Sequence, residues 1–171
     1  MKKIILCFLV SASLIACTNQ ETKTEAKTET TGSVTTTGPD VDLIKKSITA
    51  FADGDWATYA STYADTAKSY HNIWPSNTDT TVGVKIPVLI EGFKKQRELM
   101  DGKLTMGGTI FEVVTMPDGS KYGHVWVDFT WKNKKGEVGK SVLFDSYGIN
   151  KDGKISFEWP IYDTKDVVNL K

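Results

Sequence analysis

Two histidines, His71 and His124, and two aspartates in the C-terminal half, Asp128 and Asp145, are the side chains here best suited to moving a proton. A carboxyl group held close to a second one keeps its proton to higher pH. An imidazole nearby could then exchange that proton near neutrality. His71, Asp128 and Asp145 are therefore the candidate catalytic residues, with Tyr147 as a hydrogen-bond donor. Each also has a plain structural use. His71 can bond to Asn72, Ser76 or a backbone carbonyl, and the aspartates can sit hydrated near a sheet edge or bond to Thr130 or Ser141. Two histidines and two acids spread over three strands, without close spacing, make no metal site, and no cofactor motif is present. Ser141 and Ser146 lie in a strand without a nucleophile elbow. The glycines of "DGSKYG" and "KDGKI" read as turn residues, not as a phosphate cradle.

These side chains must be positioned by a helical first half and a stranded second half. Val41, Ile44, Ile48 and Phe51 recur at helical spacing after Asp40, a candidate N-cap, and Gly54 can close that helix. Asp55 caps a shorter helix carrying Trp56, Tyr59, Ala60 and Tyr63. The extended stretch "SYHNIWPSNTD" follows, and Ile86 to Met100 repeats the helical pattern. From Gly108 the pattern alternates, broken at Asp118-Gly119, Lys135-Gly136-Glu137 and Asp152-Gly153, which reads as a four-stranded antiparallel meander.

Turn chemistry proposes registers for that meander. A two-residue turn at Asp118-Gly119 sets Phe111 opposite Trp126 and Val113 opposite His124. A three-residue loop ending at Gly153 sets Tyr147 opposite Phe157 and Asp145 opposite Trp159. The middle turn is open. If Gly136-Glu137 form a two-residue turn, Asp128 faces Asp145, and hydrophobic patterning favours this. If Gly136 ends a three-residue loop, the two carboxylates take opposite faces. The first choice gathers Phe111, His124, Trp126, Asp128, Asp145, Tyr147 and Trp159 on one aromatic face, which reads as the wall of a small-molecule pocket. Trp74, Phe111, His124, Trp126, Tyr147 and Trp159 are thus the candidate ligand-binding residues. The other face carries Ile110, Val114, Val125, Val127, Phe129, Trp131, Val142 and Phe144. Three helices cannot cover both faces, so this second one is a candidate homodimer surface or, alternatively, a site for another protein partner.

The N-terminus is of a different character. Lys2 and Lys3 precede an apolar run from Ile4 to Val10, too short to span a bilayer, and the small residues Ser11-Ala12-Ser13 follow. The run ends in Leu14-Ile15-Ala16-Cys17, which resembles the lipobox of bacterial lipoproteins. That resemblance implies a signal peptide over residues 1–16 and lipidation of Cys17. Thr18 stands where an aspartate marks inner-membrane retention in some bacteria, so the expected location is the cell envelope, at the outer membrane. Residues 17–40, rich in threonine, glutamate and lysine, read as a disordered tether, and residues 41–171 as one domain. The chain has 21 basic and 21 acidic residues, and loss of Lys2 and Lys3 would leave it slightly acidic. With no basic stripe, nucleic acid is not an expected partner.

The order of elements supplies one further resemblance. "AFADGDWATYASTYADTAKSYHN", Gly83 ahead of a helix, and "DGKI" in the last turn are similar to nuclear transport factor 2-like proteins, in their SnoaL-like and ketosteroid isomerase-like branches. The resemblance implies an α+β cone, with three N-terminal helices packed on a curved antiparallel sheet around an internal pocket. It also implies dimerisation through the outer sheet face. SnoaL-like cyclases use a pocket aspartate near a histidine, which Asp128 or Asp145 with His71 matches in type only. The aspartate base and the tyrosine–aspartic acid pair of ketosteroid isomerases find no matching positions. The first expectation is therefore a membrane-anchored domain that binds a small, partly apolar ligand. The alternative is an isomerase, cyclase or hydrolase.

Overall fold

A computed structural model describes residues 31–71 and 83–163. Cys17 and Trp74 lie outside these residues. Three helices, α1 (Pro39–Asp53), α2 (Trp56–Ser61) and α3 (Ile86–Arg97), pack on a sheet of seven strands. The strands are β1 (Ser33–Thr35), β2 (Tyr63–Ser69), β3 (Val84–Lys85), β4 (Thr105–Thr115), β5 (Lys121–Lys132), β6 (Val138–Ile149) and β7 (Ile155–Tyr162). Their spatial order is β1-β4-β5-β6-β7-β2-β3, and all pairs are antiparallel except β2 with β7. The sheet is therefore mixed. The strand β1 pairs with Val113–Thr115 from within the stretch expected to be tether.

Local chemistry explains the helix ends. Pro39 occupies the first turn of α1, where its missing N–H costs nothing. Gly38 rather than Asp40 is the N-cap, and Asp40 instead holds Lys121 at 2.6 Å. Gly54 ends α1 in the left-handed conformation, and the Asp55 side chain accepts from Thr58 N at 3.0 Å to start α2. The apolar stripe of α1 (Val41, Ile44, Ile48) is buried against β4 and β5. Ile44 reaches so close to the sheet that a Cβ added at Gly123 would stand 1.9 Å from its Cδ1.

All three hairpins of the meander use three-residue loops ending in a left-handed glycine: Gly119, Gly136 and Gly153. Met116 N bonds to Ser120 O, Asn133 N to Glu137 O and Asn150 N to Lys154 O. The side chains before two of the loops drive this choice. Asn133 Oδ1 accepts from Lys135 N and Glu137 N at 2.9 Å, and Asn150 Oδ1 accepts from Asp152 N and Lys154 N at 3.0 Å. An Asx interaction of this kind stabilises the longer loop over the two-residue turn.

Registers shift accordingly. Phe111 lies opposite Val125, and Glu112 rather than Val113 lies opposite His124. Asp128 faces Val142 and Asp145 faces Val125, so the two carboxylates take opposite sides of the sheet. In the last hairpin the loop ending at Gly153 forms as expected, but an irregularity follows. Ile149 pairs with Ile155 and Gly148 with Phe157, so Ser156 is an extra residue whose hydroxyl donates to Gly148 O at 3.1 Å. Such a bulge moves every later side chain to the other face. Tyr147 therefore pairs with Glu158, and Asp145 with Pro160.

Candidate functional site

The face turned toward the helices is lined by Val125, Val127, Phe129 and Trp131 of β5, with Leu143, Asp145 and Tyr147 of β6. From β7 it receives Glu158, Pro160 and Tyr162. Val127, Phe129 and Trp131, expected on a partner-binding surface, are thus core residues, each no more than 5% exposed. Between this face and the helices lies a cavity of about 90 Å³. Ile48 and Phe51 of α1, Tyr59 of α2, and Phe93 and Gln96 of α3 close it, with Met100, Leu104 and His71 completing the wall. Trp131 can lie flat there because Gly139 stands opposite. A Cβ at Gly139 would meet the indole at 2.4 Å.

Two acids enter this apolar space. Asp145 is 3% exposed and Glu158 2%. They sit diagonally on neighbouring strands, with Asp145 within reach of the Glu158 charge. Glu158 is clamped by hydroxyls: Tyr63 Oη donates to Oε2, and Tyr59 Oη approaches the same oxygen at 3.2 Å. Burial raises the Glu158 pKa, and hydrogen bonds from Tyr63, Ser69 and Tyr59 oppose the rise. Burial raises that of Asp145 well above the carboxylate range, repulsion from Glu158 adds to the effect, and hydrogen bonds from Tyr147 and from the backbone of Ser146 and Trp159 only partly oppose it. Asp145 is therefore the member that keeps its proton, while Glu158 carries the charge. Tyr59, Tyr63 and Tyr147 are also pushed well up, chiefly by burial, and remain neutral donors. Asp145 Oδ1 is buried without a hydrogen-bond partner among the described residues.

His71 stands at the end of β2 against the same cavity, 6.2 Å from the Phe93 ring and 5.9 Å from that of Tyr162. Its Nδ1 lies 2.9 Å from Ser69 Oγ. Burial lowers its pKa, so the ring is neutral at pH 7. The structure thus brings His71, Asp145 and Tyr147 together at one cavity.

The remaining predicted site residues lie elsewhere. Asp128 is exposed on the outer sheet face. His124 shares that face, with Nδ1 3.2 Å from Glu112 Oε1, and Trp126 packs at a tilt against Phe144 with ring centres 5.0 Å apart. Trp159 packs on Phe157 at 4.8 Å on the same side. Phe111 faces inward but outside the cavity lining, under Lys45 Nζ at 5.7 Å. For Asp128, His124, Trp126 and Trp159 the reason is the register: three-residue loops and the Ser156 bulge exchange the two faces. Glu158, Tyr59, Tyr63 and Tyr162 were not anticipated as site residues. Glu158 alternates with Phe157 and Trp159, so amphipathic reading turns it outward.

Tyr63→Phe removes the donor closest to the Glu158 charge. It is expected to destabilise the protein by about 1.5–3 kcal/mol, the range for a hydrogen bond to a charged group, in urea melts at pH 7. Loss below 0.5 kcal/mol would show that the Tyr63 hydroxyl does not support that charge.

No protein-family model and no curated protein matches this chain. Solved structures do. BvnE pinacolase from Penicillium brevicompactum superposes with a TM-score of 0.59 at 10% identity, covering 77% of this chain and 88% of that one. A SnoaL-like protein from Shewanella putrefaciens, named as a candidate polyketide cyclase, gives 0.54 at 8%, covering 78% and 86%. A nuclear transport factor 2-like protein from Burkholderia xenovorans gives 0.51 at 13%, covering 77% and 95%. The fold is nuclear transport factor 2-like. In this nuclear transport factor 2-like cone, the Asp145–Glu158 cavity occupies the space between sheet and helices. Identities this low carry the architecture alone, and the chemistry rests on the side chains of this chain.

Proposed function

We propose that this chain is a lipid-anchored protein of the cell envelope whose cone binds a small, partly apolar molecule. Its polar end points at Asp145 and Tyr147. The observation that carries the reading is Asp145 Oδ1, buried at an apolar cavity with no protein partner among the described residues. A buried polar atom left unpaired costs about 1–3 kcal/mol, which a ligand group would recover. Aromatic and aliphatic walls with a few converging polar groups are the usual build of such sites. The anchor is supported by the basic start, apolar run and Cys17 of the sequence. Native mass spectrometry of the full-length chain, extracted in a mild detergent, tests the binding reading. A retained small molecule lost on Asp145→Leu is expected. A wild-type cavity that takes up no compound from a broad small-molecule library sinks it.

A second reading is an acid–base isomerase or cyclase. It is favoured by a neutral His71 and a proton-holding Asp145 at one cavity. Solved neighbours named as a pinacolase and as a candidate cyclase make the fold a known host for enzymes. Deuterium uptake from solvent into enolisable ketones measures this activity, and His71→Gln should cut it by about 10²–10⁴-fold.

The outer sheet face is proposed as a homodimer surface: of the residues first expected there it keeps Ile110, Val142 and Phe144, and Trp126 joins them. Ile110 is 61% exposed, Val142 59% and Trp126 38%. Burying such side chains stabilises by about 25 cal/mol per Å² of apolar area. Trp126→Lys is expected to weaken self-association by roughly a hundredfold or more in sedimentation velocity, a loss typical of a central aromatic anchor. A wild-type chain that stays monomeric at high concentration removes the proposal.

A further inference from the structure

We infer that the cone's ligand is a small organic cation, such as a quaternary ammonium compound. The inference rests on the small-molecule reading above and names the ligand's class. Its basis is a charge imbalance. Asp145 and Glu158 share one cavity, and among the described residues no lysine or arginine pairs with either. Arg97, at the end of α3, is committed elsewhere. It donates to Phe51 O at 2.5 Å and lies over the Phe51 and Trp56 rings, outside the cavity lining. The donors that reach Glu158 are neutral hydroxyls, which satisfy its oxygens without cancelling its charge.

The walls suit the same ligand. Phe51, Tyr59, Phe93, Phe129, Trp131 and Tyr162 surround the cavity. Ring faces attract a cation by about 0.5–2 kcal/mol each when water is excluded. A neutral carbonyl compound could accept a hydrogen bond from Asp145, but it would leave the Glu158 charge buried and uncompensated. An anion would add to the repulsion. A cation alone meets the carboxylates and the rings together, and with it in place Asp145 gives up its proton to solvent. The volume of about 90 Å³ limits the charged group to a few heavy atoms.

The test compares choline with its uncharged carbon isostere, 3,3-dimethylbutan-1-ol, on the full-length chain in a neutral maltoside detergent, read by calorimetry. Choline is expected to bind at least about tenfold more tightly, the sum of cation–π and charge-assisted contacts. Glu158→Gln and Asp145→Asn should each bring the affinity for choline to within about threefold of that for the isostere, and urea melts report that both variants are folded. Glycerophosphocholine separates the sources. If it binds as tightly as choline, the cation is a lipid headgroup; if it is excluded, the cation is a free solute. An isostere that binds as well as choline overturns the cation while leaving a small-molecule site. Binding of neither probe overturns the cation as well, and the uptake experiment above then decides the broader reading separately.

Discussion

Asp145→Asn is expected to stabilise the folded protein at pH 8 and to weaken ligand binding at the same time. The two effects share one cause. Burial and the neighbouring Glu158 raise the Asp145 pKa above its unfolded value of about 3.9. The folded state then binds more protons than the unfolded state between those two values. The stability slope with pH is accordingly negative: Asp145's contribution is fully present below the unfolded pKa and is lost as pH rises through the folded one. Asparagine has no proton to lose. The titratable groups that face Asp145 are Glu158 and Tyr162 of β7, Tyr147 of β6, Tyr59 of α2, Tyr63 of β2 and His71. The tyrosines stay neutral over this range, and α1, α3 and β5 line the cavity with uncharged side chains. The pH dependence is thus a property of the carboxylate pair, with His71 titrating below its ordinary value.

In numbers, the variant should match the wild type near pH 4 and exceed it by about 1–3 kcal/mol at pH 8, the scale for removing an uncompensated buried charge. Thermal melts across that range measure it. A difference that does not change with pH, or a variant less stable at pH 8, would refute the assignment of the proton to Asp145. A stability gain paired with a binding loss is the signature of a group retained for function and not for folding.

Gly123→Ala is expected to cost about 1–3 kcal/mol, the usual range for overpacking a well-filled core. The new Cβ would stand 1.9 Å from Ile44 Cδ1, and Ile44 is fully buried between α1 and the sheet. Ile44→Val deletes that one methyl and should cost about 0.5–1.5 kcal/mol alone. Combined, the two changes should be less harmful than their sum by at least about 1 kcal/mol, since each relieves what the other creates. Denaturant melts of the four proteins give the coupling directly. Simple additivity would mean that α1 does not dock on Gly123 as described. Because α1 forms one wall of the cavity through Ile48 and Phe51, a displaced helix should also lower ligand affinity.

Much of the architecture was legible in the chain. The stripe Val41–Ile44–Ile48, Gly54 with Asp55, and the alternation after Gly108 marked two helices and a meander because burial and turn chemistry act locally. The site was legible only in fragments. His71, Asp145 and Tyr147 were singled out and do meet at one cavity, whereas Asp128, His124, Trp126 and Trp159 lie on the far side of the sheet. Glu158 was passed over, because "SFEWPIY" presents its large apolar residues at the positions that turn outward. In this strand the inner face is the polar one, and amphipathic reasoning points the wrong way.

Residue types and their periodicity by themselves determined the order of helices and strands, the places where the chain turns and the side chains able to hold a proton. Tertiary structure decided which of those side chains meet. A strand's faces exchange with a shift of one residue, and that shift was set by the three-residue loops at Gly119 and Gly136, the second held by the Asx contacts of Asn133, and by the Ser156 bulge. These are interactions of a few hydrogen bonds each, too small to show in a hydrophobic pattern. They are nonetheless sufficient to bury Glu158 beside Asp145.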